Sequence, residues 1–378
     1  MATRTSSVPK SGPSTDPATG RIWNFSAGPA ALPEPVLRQA QEDLWNIRGS
    51  GIGIAEHSHR GKVYETVNAE AEQRCRELAG IPANYRVLFL QGGASLQFAM
   101  VPMNLLPSDR VADYLITGVW SEKALKEAKL IGKTHVAFDG ASENHRRIPG
   151  AGELQFSPDP AYVHLTTNNT IYGTQWRTEP PVPGSAPVVA DTSSDMFSRP
   201  IDVSRYGLIY AGAQKNLGPS GVTLVIIRED LVELGPKTLP SMLQYRIHAK
   251  ERSLYNTPNT FGVYLMGEVF RWIQAEGGLD GMARNSAEKA RLVYDAIDSS
   301  DFWQGTADAG SRSLMNVCFR SPSEEQDAAF CAAATREGLD GLKGHRAVGG
   351  MRASIYNACP RAAVEALVAF MKEFERRA

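Results

Sequence analysis

From about residue 85 onward the chain alternates short apolar runs with stretches of helical periodicity, and this alternation constrains the fold more than any other feature of the sequence. Arg86 to Leu90 reads as a strand, followed by Gly92-Gly93 and a helix from about Ser95. Val111 to Ile116 is a second strand, ahead of a helix from about Ser121. Thr134 to Phe138, Tyr162 to Leu165, Val188 to Ala190 and Leu208 to Tyr210 follow as strands, and Val222 to Ile227 returns at once, as the second arm of a hairpin would. Strands alternating with helices predict an α/β fold with a mainly parallel sheet covered on both faces. Ligands of such sheets bind beyond the carboxyl ends of the strands.

A chain of 378 residues can bury a large core and is expected to divide into two domains. From about residue 280 the pattern changes. Helical segments at Ala283 to Ile297, Glu324 to Glu337 and Ala362 to Arg376 flank apolar strand candidates at Met315 to Phe319 and Met351 to Ile355, which predicts a smaller α+β domain. The expected division is a disordered tail over residues 1–20, a large domain over 21–280 and a small domain over 281–378, with room for the N-terminal segment to pack on the small one.

Charge and composition exclude several function classes. The formal net charge is -1, which leaves no electrostatic footprint for nucleic acid or an acidic membrane surface. No apolar run approaches the ~20 residues needed to cross a bilayer. Met1 to Gly20 is rich in Ser, Thr, Pro and Gly without an apolar core, so it reads as a tail and not as a secretory signal. Cys75, Cys318, Cys331 and Cys359 lie far apart with no Cys-x-x-Cys, and the histidines form no metal-binding spacing. A reducing, cytoplasmic setting and no metal site are therefore expected.

The chemistry is concentrated where predicted strands end. In Tyr206 to Gly221 an apolar strand runs into small residues, delivers Lys215, and turns through Gly218-Pro219. A lysine offered among Gly and Ala serves packing poorly and chemistry well, because its amine can form a Schiff base with a carbonyl cofactor such as pyridoxal phosphate (PLP). Asp191 closes the strand Pro187 to Ala190, 24 residues before Lys215, a separation of about one strand–connection–strand unit. A carboxylate there can pair with a protonated pyridine nitrogen, or it can simply cap the turn through Thr192-Ser193-Ser194. Gln91 to Gln97 contains Gly92-Gly93 between a strand and a helix, the shape of a phosphate cradle or of a plain tight turn. Trp120 offers an indole for stacking on a ring, and Thr170 a hydroxyl for a phenolic oxygen. Two His-Arg pairs, His59-Arg60 and His345-Arg346, with Arg352 six residues after the second pair's arginine, suit substrates carrying two anionic groups.

These motifs resemble the class V (fold type I) PLP-dependent aminotransferases, and within them the branch that uses phosphoserine. The resemblance is carried by Asn24 to Ala30, Ser58 to Lys62, Ser198 to Val203, Tyr210 to Asn216, Asn256 to Pro258 and Lys343 to Asn357, and spans the chain from about residue 22 to its end. It implies a large domain with a mainly parallel seven-stranded sheet and a smaller α+β C-terminal domain. It also implies that Lys215 carries the cofactor and later moves the proton, that Asp191 pairs with the ring nitrogen, and that Trp120 stacks on the ring. Thr170 and Gln214 would bond the cofactor, and Ala94 and Ser95 its phosphate. Asn256 and Thr257 would reach the phosphate of the neighbouring subunit's cofactor, so that a homodimer shares its active sites. His59, Arg60, His345 and Arg346 would hold the substrate's phosphate or distal carboxylate, and Arg352 its α-carboxylate. Many relatives carry Gly where Ala94 stands and Gly or Arg near Ser95-Leu96, so the phosphate contacts are expected to be re-aimed here. Some relatives carry a second Ser where Ala27 stands, so a side-chain contact from that position is missing.

The implied reaction is ping-pong transamination of O-phospho-L-serine with 2-oxoglutarate, giving 3-phosphohydroxypyruvate and glutamate in serine biosynthesis. 4-Phosphohydroxythreonine, a substrate in the vitamin B6 synthesis of bacterial relatives, stays open as a second donor. Three rivals fit less well. Cysteine desulfuration needs an exposed, mobile Cys and a His beside the lysine, where this chain has Gln214. Exchange between alanine or serine and glyoxylate needs no two His-Arg pairs. A PLP-binding regulatory protein needs no α-carboxylate clamp.

Overall fold

The computed structural model describes residues 15–16 and 19–378. The expected tail of residues 1–20 therefore lies outside the described residues, apart from Thr15, Asp16, Thr19 and Gly20.

Seven strands form the central sheet. They are β1 (Tyr85–Leu90), β2 (Val111–Ile116), β3 (Lys133–Asp139), β4 (Val163–Thr166), β5 (Val188–Asp191), β6 (Leu208–Gly212) and β7 (Thr223–Arg228). Their order across the sheet is β1-β7-β6-β5-β4-β2-β3. Only β7 runs against its neighbours; β2 to β6 are parallel to one another. The hairpin predicted after Leu208 to Tyr210 is the β6–β7 pair.

Both faces of the sheet are buried, as parallel sheets require. Along β1, Val87 and Phe89 enter one core while Leu88 and Leu90 enter the other. Along β6, Ile209 and Ala211 alternate in the same way with Leu208 and Tyr210. The first core is covered by helices Lys62–Ala79 and Thr260–Ala275, the second by Gly93–Leu105 and Val119–Ile131. Helices Gly93–Leu105 and Val119–Ile131 start two residues earlier than the sequence suggested: glycines at 92 and 118 precede their first turns, and Ser121, whose Oγ accepts the Gly118 N–H at 3.3 Å, lies inside the first turn of the second helix.

A third core joins Trp23 and Phe25 to residues between Ala290 and Met371. It is built on a three-stranded antiparallel sheet, β8 (Gln304–Gly305), β9 (Asn316–Arg320) and β10 (Met351–Ser354). Helices Gly278–Asp298, Glu324–Arg336 and Arg361–Glu375 contribute residues to this core. The N-terminal pair Trp23–Asn24 lies parallel to Leu339–Asp340, so the start of the described chain is fastened to this C-terminal unit. Among the described residues, no helix is long and apolar enough to cross a membrane.

Candidate active site

The carboxyl ends of β4, β5 and β6 lie side by side. Thr166 pairs with Asp191, and Asp191 with Tyr210. Asp191 is buried, and its Oδ1 accepts the Ser193 N–H at 2.9 Å. Burial raises its pKa; the Lys215 charge and the Ser193 hydrogen bonds oppose that rise. No helix begins at Asp191, so the capping role left open by the sequence is reduced to a local turn.

Lys215 leaves β6 through the turn after Gly212 and is half-buried. Burial lowers its pKa; the charges of Asp191 and Asp195 oppose this, while Arg352 adds to it. A lysine held toward its neutral amine is a competent nucleophile and base. Its Nζ lies 5.5 Å from the centroid of the Trp120 ring. Gly28 closes over the lysine stem: a Cβ at Gly28 would stand 3.3 Å from Lys215 Cγ, on a backbone with φ of 138°. The Ala30 N–H donates to the Gln214 carbonyl at 2.9 Å, so the Asn24 to Ala30 motif is packed onto the lysine turn.

Thr170 joins two further groups. Its Oγ1 accepts the Trp120 Nε1–H at 3.1 Å, which leaves its own proton free to donate. Its carbonyl accepts from an Arg352 terminal nitrogen, also at 3.1 Å. Arg352 Nε is buried with no hydrogen-bond partner among the described residues. A desolvated guanidinium with a spare donor is suited to an incoming carboxylate.

Gly92 and Gly93 have φ of 90° and 66° and precede the first turn of helix Gly93–Leu105. The N–H groups of Gly93, Ala94 and Ser95 have no intrahelical acceptor at this end, and the helix dipole favours an anion there. Gln91 Nε2 donates to the Thr257 carbonyl at 3.1 Å, which sets Asn256-Thr257 beside this turn. His345 is half-buried, and its pKa is lowered by burial and by the charges of Arg352, Arg346 and Lys123. Arg346 is exposed.

The first His-Arg pair is not joined to this cluster. Arg60 is exposed and its Nε contacts only the His59 ring, at 3.4 Å. Among the described residues, no hydrogen bond or ion pair links His59 or Arg60 to Lys215, Asp191 or Arg352.

Sequence reasoning passed over Lys123, whose Nζ lies 4.5 Å from the Trp120 ring centroid. The signal was its place three residues after Trp120 on a helix, where i and i+3 share a face. It also passed over Asp195, a second buried carboxylate bonded by the Thr167 hydroxyl and the Gln175 amide. No local pattern marks Asp195, because its partners come from a different strand connection. Cys75, Cys318 and Cys359 are buried and Cys331 is partly buried, so none offers the exposed thiol of a desulfurase.

The chain matches the family described as Aminotransferase class-V over residues 22–367. It is 59% identical to the phosphoserine aminotransferase of Herpetosiphon aurantiacus over 354 residues, 93% of this chain and 98% of that protein. The solved phosphoserine aminotransferase from Bacillus circulans subsp. alkalophilus superposes with a TM-score of 0.93 at 54% identity, covering 94% of this chain and 99% of that one. The PLP-bound phosphoserine aminotransferase from Trichomonas vaginalis gives a TM-score of 0.89 at 41% identity, over 93% and 100% of the two chains. With the lysine, the aspartate and the indole gathered at one sheet edge, this chain belongs to the class V aminotransferase family.

Proposed function

We propose that this chain is a PLP-dependent transaminase that exchanges the amino group of O-phospho-L-serine with 2-oxoglutarate, yielding 3-phosphohydroxypyruvate and glutamate in serine biosynthesis. The observation that carries the reading is the convergence of Lys215, Asp191, Trp120 and Arg352 at the carboxyl ends of β4 to β6. The extent and identity of the phosphoserine aminotransferase relatives support the substrate.

The residues fit the cofactor. A buried carboxylate, an amine held toward neutrality, an indole face and a free helix N-terminus match the ring nitrogen, aldehyde, ring plane and phosphate of PLP. When bound, PLP supplies an electrophilic carbonyl and a ring that takes up the electrons released from the substrate's α-carbon. Lys215 Nζ holds the cofactor and then carries the α-proton as general base and acid. Asp191 keeps the proton on the ring nitrogen. Trp120 covers the ring, Thr170 and Gln214 orient it, and Ala94 and Ser95 hold its phosphate through backbone N–H groups. Arg352 binds the α-carboxylate common to donor and acceptor. His345 and Arg346 bind the distal phosphate or carboxylate, two groups that differ in charge and that an imidazole able to gain or lose a proton suits.

Arg60 is exposed, His59 is half-buried, and neither is joined to the cluster, while Asn256 and Thr257 stand beside this chain's own phosphate turn. The detachment of His59 and Arg60 supports a homodimer in which they complete the partner's site; for Asn256 and Thr257, reaching the partner's cofactor phosphate rests on the family motif alone. We read residues 21–280 and 281–378 as the large and small domains, with helix Gly278–Asp298 spanning the joint. Four free cysteines support a cytoplasmic enzyme.

Borohydride reduction followed by peptide mass spectrometry tests the attachment. The cofactor's mass is expected on Lys215, and phosphoserine added before reduction is expected to remove it. A label on another lysine, or one that phosphoserine leaves untouched while glyoxylate-linked amino donors remove it, overturns the reading.

A further inference from the structure

A buried amide on the C-terminal unit joins the pieces of this site. Asn316, on β9, is fully buried. Its Oδ1 accepts the Asn168 amide N–H at 2.8 Å, across the gap between the two units. Its Nδ2 donates to Ser354 Oγ at 3.0 Å and to the Tyr356 hydroxyl at 3.1 Å. Ser354 stands on β10 two residues after Arg352, and two residues along a strand share a face.

The chain of bonds continues on both sides. Asn168 Nδ2 also donates to Ser194 Oγ at 2.8 Å, and Ser194 Oγ donates to the Asn168 carbonyl at 2.7 Å. Ser194 is three residues after Asp191, and its carbonyl accepts the Asn216 amide at 3.1 Å, next to Lys215. Tyr356 donates to the Ala27 carbonyl at 2.8 Å, beside the Gly28 that lies over Lys215. Asn316 thus bonds both the strand of Arg352 and the loop tied to the Asp191 turn. The amide is spent entirely on this link: one acceptor and both donors are used. Fully satisfied buried networks fix a single geometry.

We propose that Asn316 is a positioning residue that sets the Arg352 guanidinium at its working distance from the Asp191–Lys215 pair. The inference rests on the reading of Arg352 as the α-carboxylate group. Because donor and acceptor share only that carboxylate with its neighbouring carbon, displacing Arg352 weakens both alike.

The test uses the PLP-loaded enzyme. Asn316→Ala and Asn168→Ala are each expected to raise KM for phosphoserine and for 2-oxoglutarate by the same factor, roughly five- to tenfold. Binding of glutarate, an unreactive dicarboxylate, measured by calorimetry, is expected to weaken by a similar factor, while cofactor affinity and kcat change little. The double variant is expected to cost less than the sum of the two single ones, because the Asn168–Asn316 bond is lost in both. Should Asn316→Ala fail to fold, Tyr356→Phe removes a single hydroxyl of the same network and is expected to show the same paired rise at smaller size. Loss of thermal stability with both KM values and glutarate binding unchanged overturns the inference, as does a rise for one substrate alone. Arg352→Lys serves as the control. If it raises both KM values while Asn316→Ala does not, only the role of Asn316 falls; if it raises neither, the reading of Arg352 falls first.

Discussion

The side-chain oxygen of Asn216 accepts the backbone N–H of Asn357 at 3.0 Å. The residue that follows Lys215 is therefore fastened to the end of the strand segment that carries Arg352. The same Asn216 amide donates to the Ser194 carbonyl, and Asn357 donates to the Phe197 carbonyl at 2.8 Å. The turn that presents the lysine is held from both sides by buried polar groups.

Replacing Asn216 by Ala strands a buried N–H on Asn357 and a buried carbonyl on Ser194. The expected loss of unfolding free energy is about 1–3 kcal/mol. Denaturant unfolding of the variant, followed by a shifted midpoint at unchanged slope, checks it.

Gly28→Ala places a Cβ against the Lys215 stem on a backbone with φ of 138°. Such a conformation costs an L-residue on the order of 1–3 kcal/mol. The variant is expected to lose stability and to bind PLP more weakly, whereas Gly152→Ala, with nothing near its Cβ and an ordinary φ, is expected to match the parent in both. Cofactor titration by absorbance compares the three proteins.

Arg60→Ala is expected to lower kcat/KM for phosphoserine by roughly 10- to 100-fold, the range for losing a charge-assisted contact. Use of alanine, which has no distal anion, is expected to be spared. Parallel assays with the two donors decide; equal damage removes Arg60 from the distal pocket.

His164 is fully buried, its Nε2 lies 2.8 Å from the Tyr210 hydroxyl, and burial lowers its pKa to about 3. The unfolded chain takes up a proton at this ring near pH 6.5, while the folded one does not until about pH 3. Its contribution to stability is therefore present above pH 6.5 and is lost as the pH falls from there toward 3. Between pH 7 and pH 5 the loss is about 2 kcal/mol from this group alone. His164→Gln, which keeps a polar partner for Tyr210 and cannot titrate, is expected to flatten that part of the stability–pH curve. Urea unfolding at the two pH values measures the difference.

Much of this was legible locally. The β5 and β6 strands, the 24-residue separation of Asp191 and Lys215, and the glycine turn at Gly92-Gly93 are short-range patterns, and they led to neighbouring strand ends and a helix N-terminus. The helix starts at Gly93 and Val119 were less legible, because a glycine at the cap position has no side chain to read and Ser121, which bonds the Gly118 N–H, does so from inside the first turn. The roles of Asp195 and Asn316 were not legible at all. Their partners lie in other segments of the chain, and hydrophobic periodicity carries no record of which buried amide meets which.

By itself the sequence determined the α/β architecture and the lysine–aspartate pair, since apolar periodicity and chain reversals act over a few residues. Tertiary structure alone decided that Gly28 closes on Lys215, that Thr170 bonds both Trp120 and Arg352, and that the first His-Arg pair stands apart from the cluster. These are relations between segments separated by tens to hundreds of residues, and they exist only once the two faces of the sheet and the C-terminal core have been buried together.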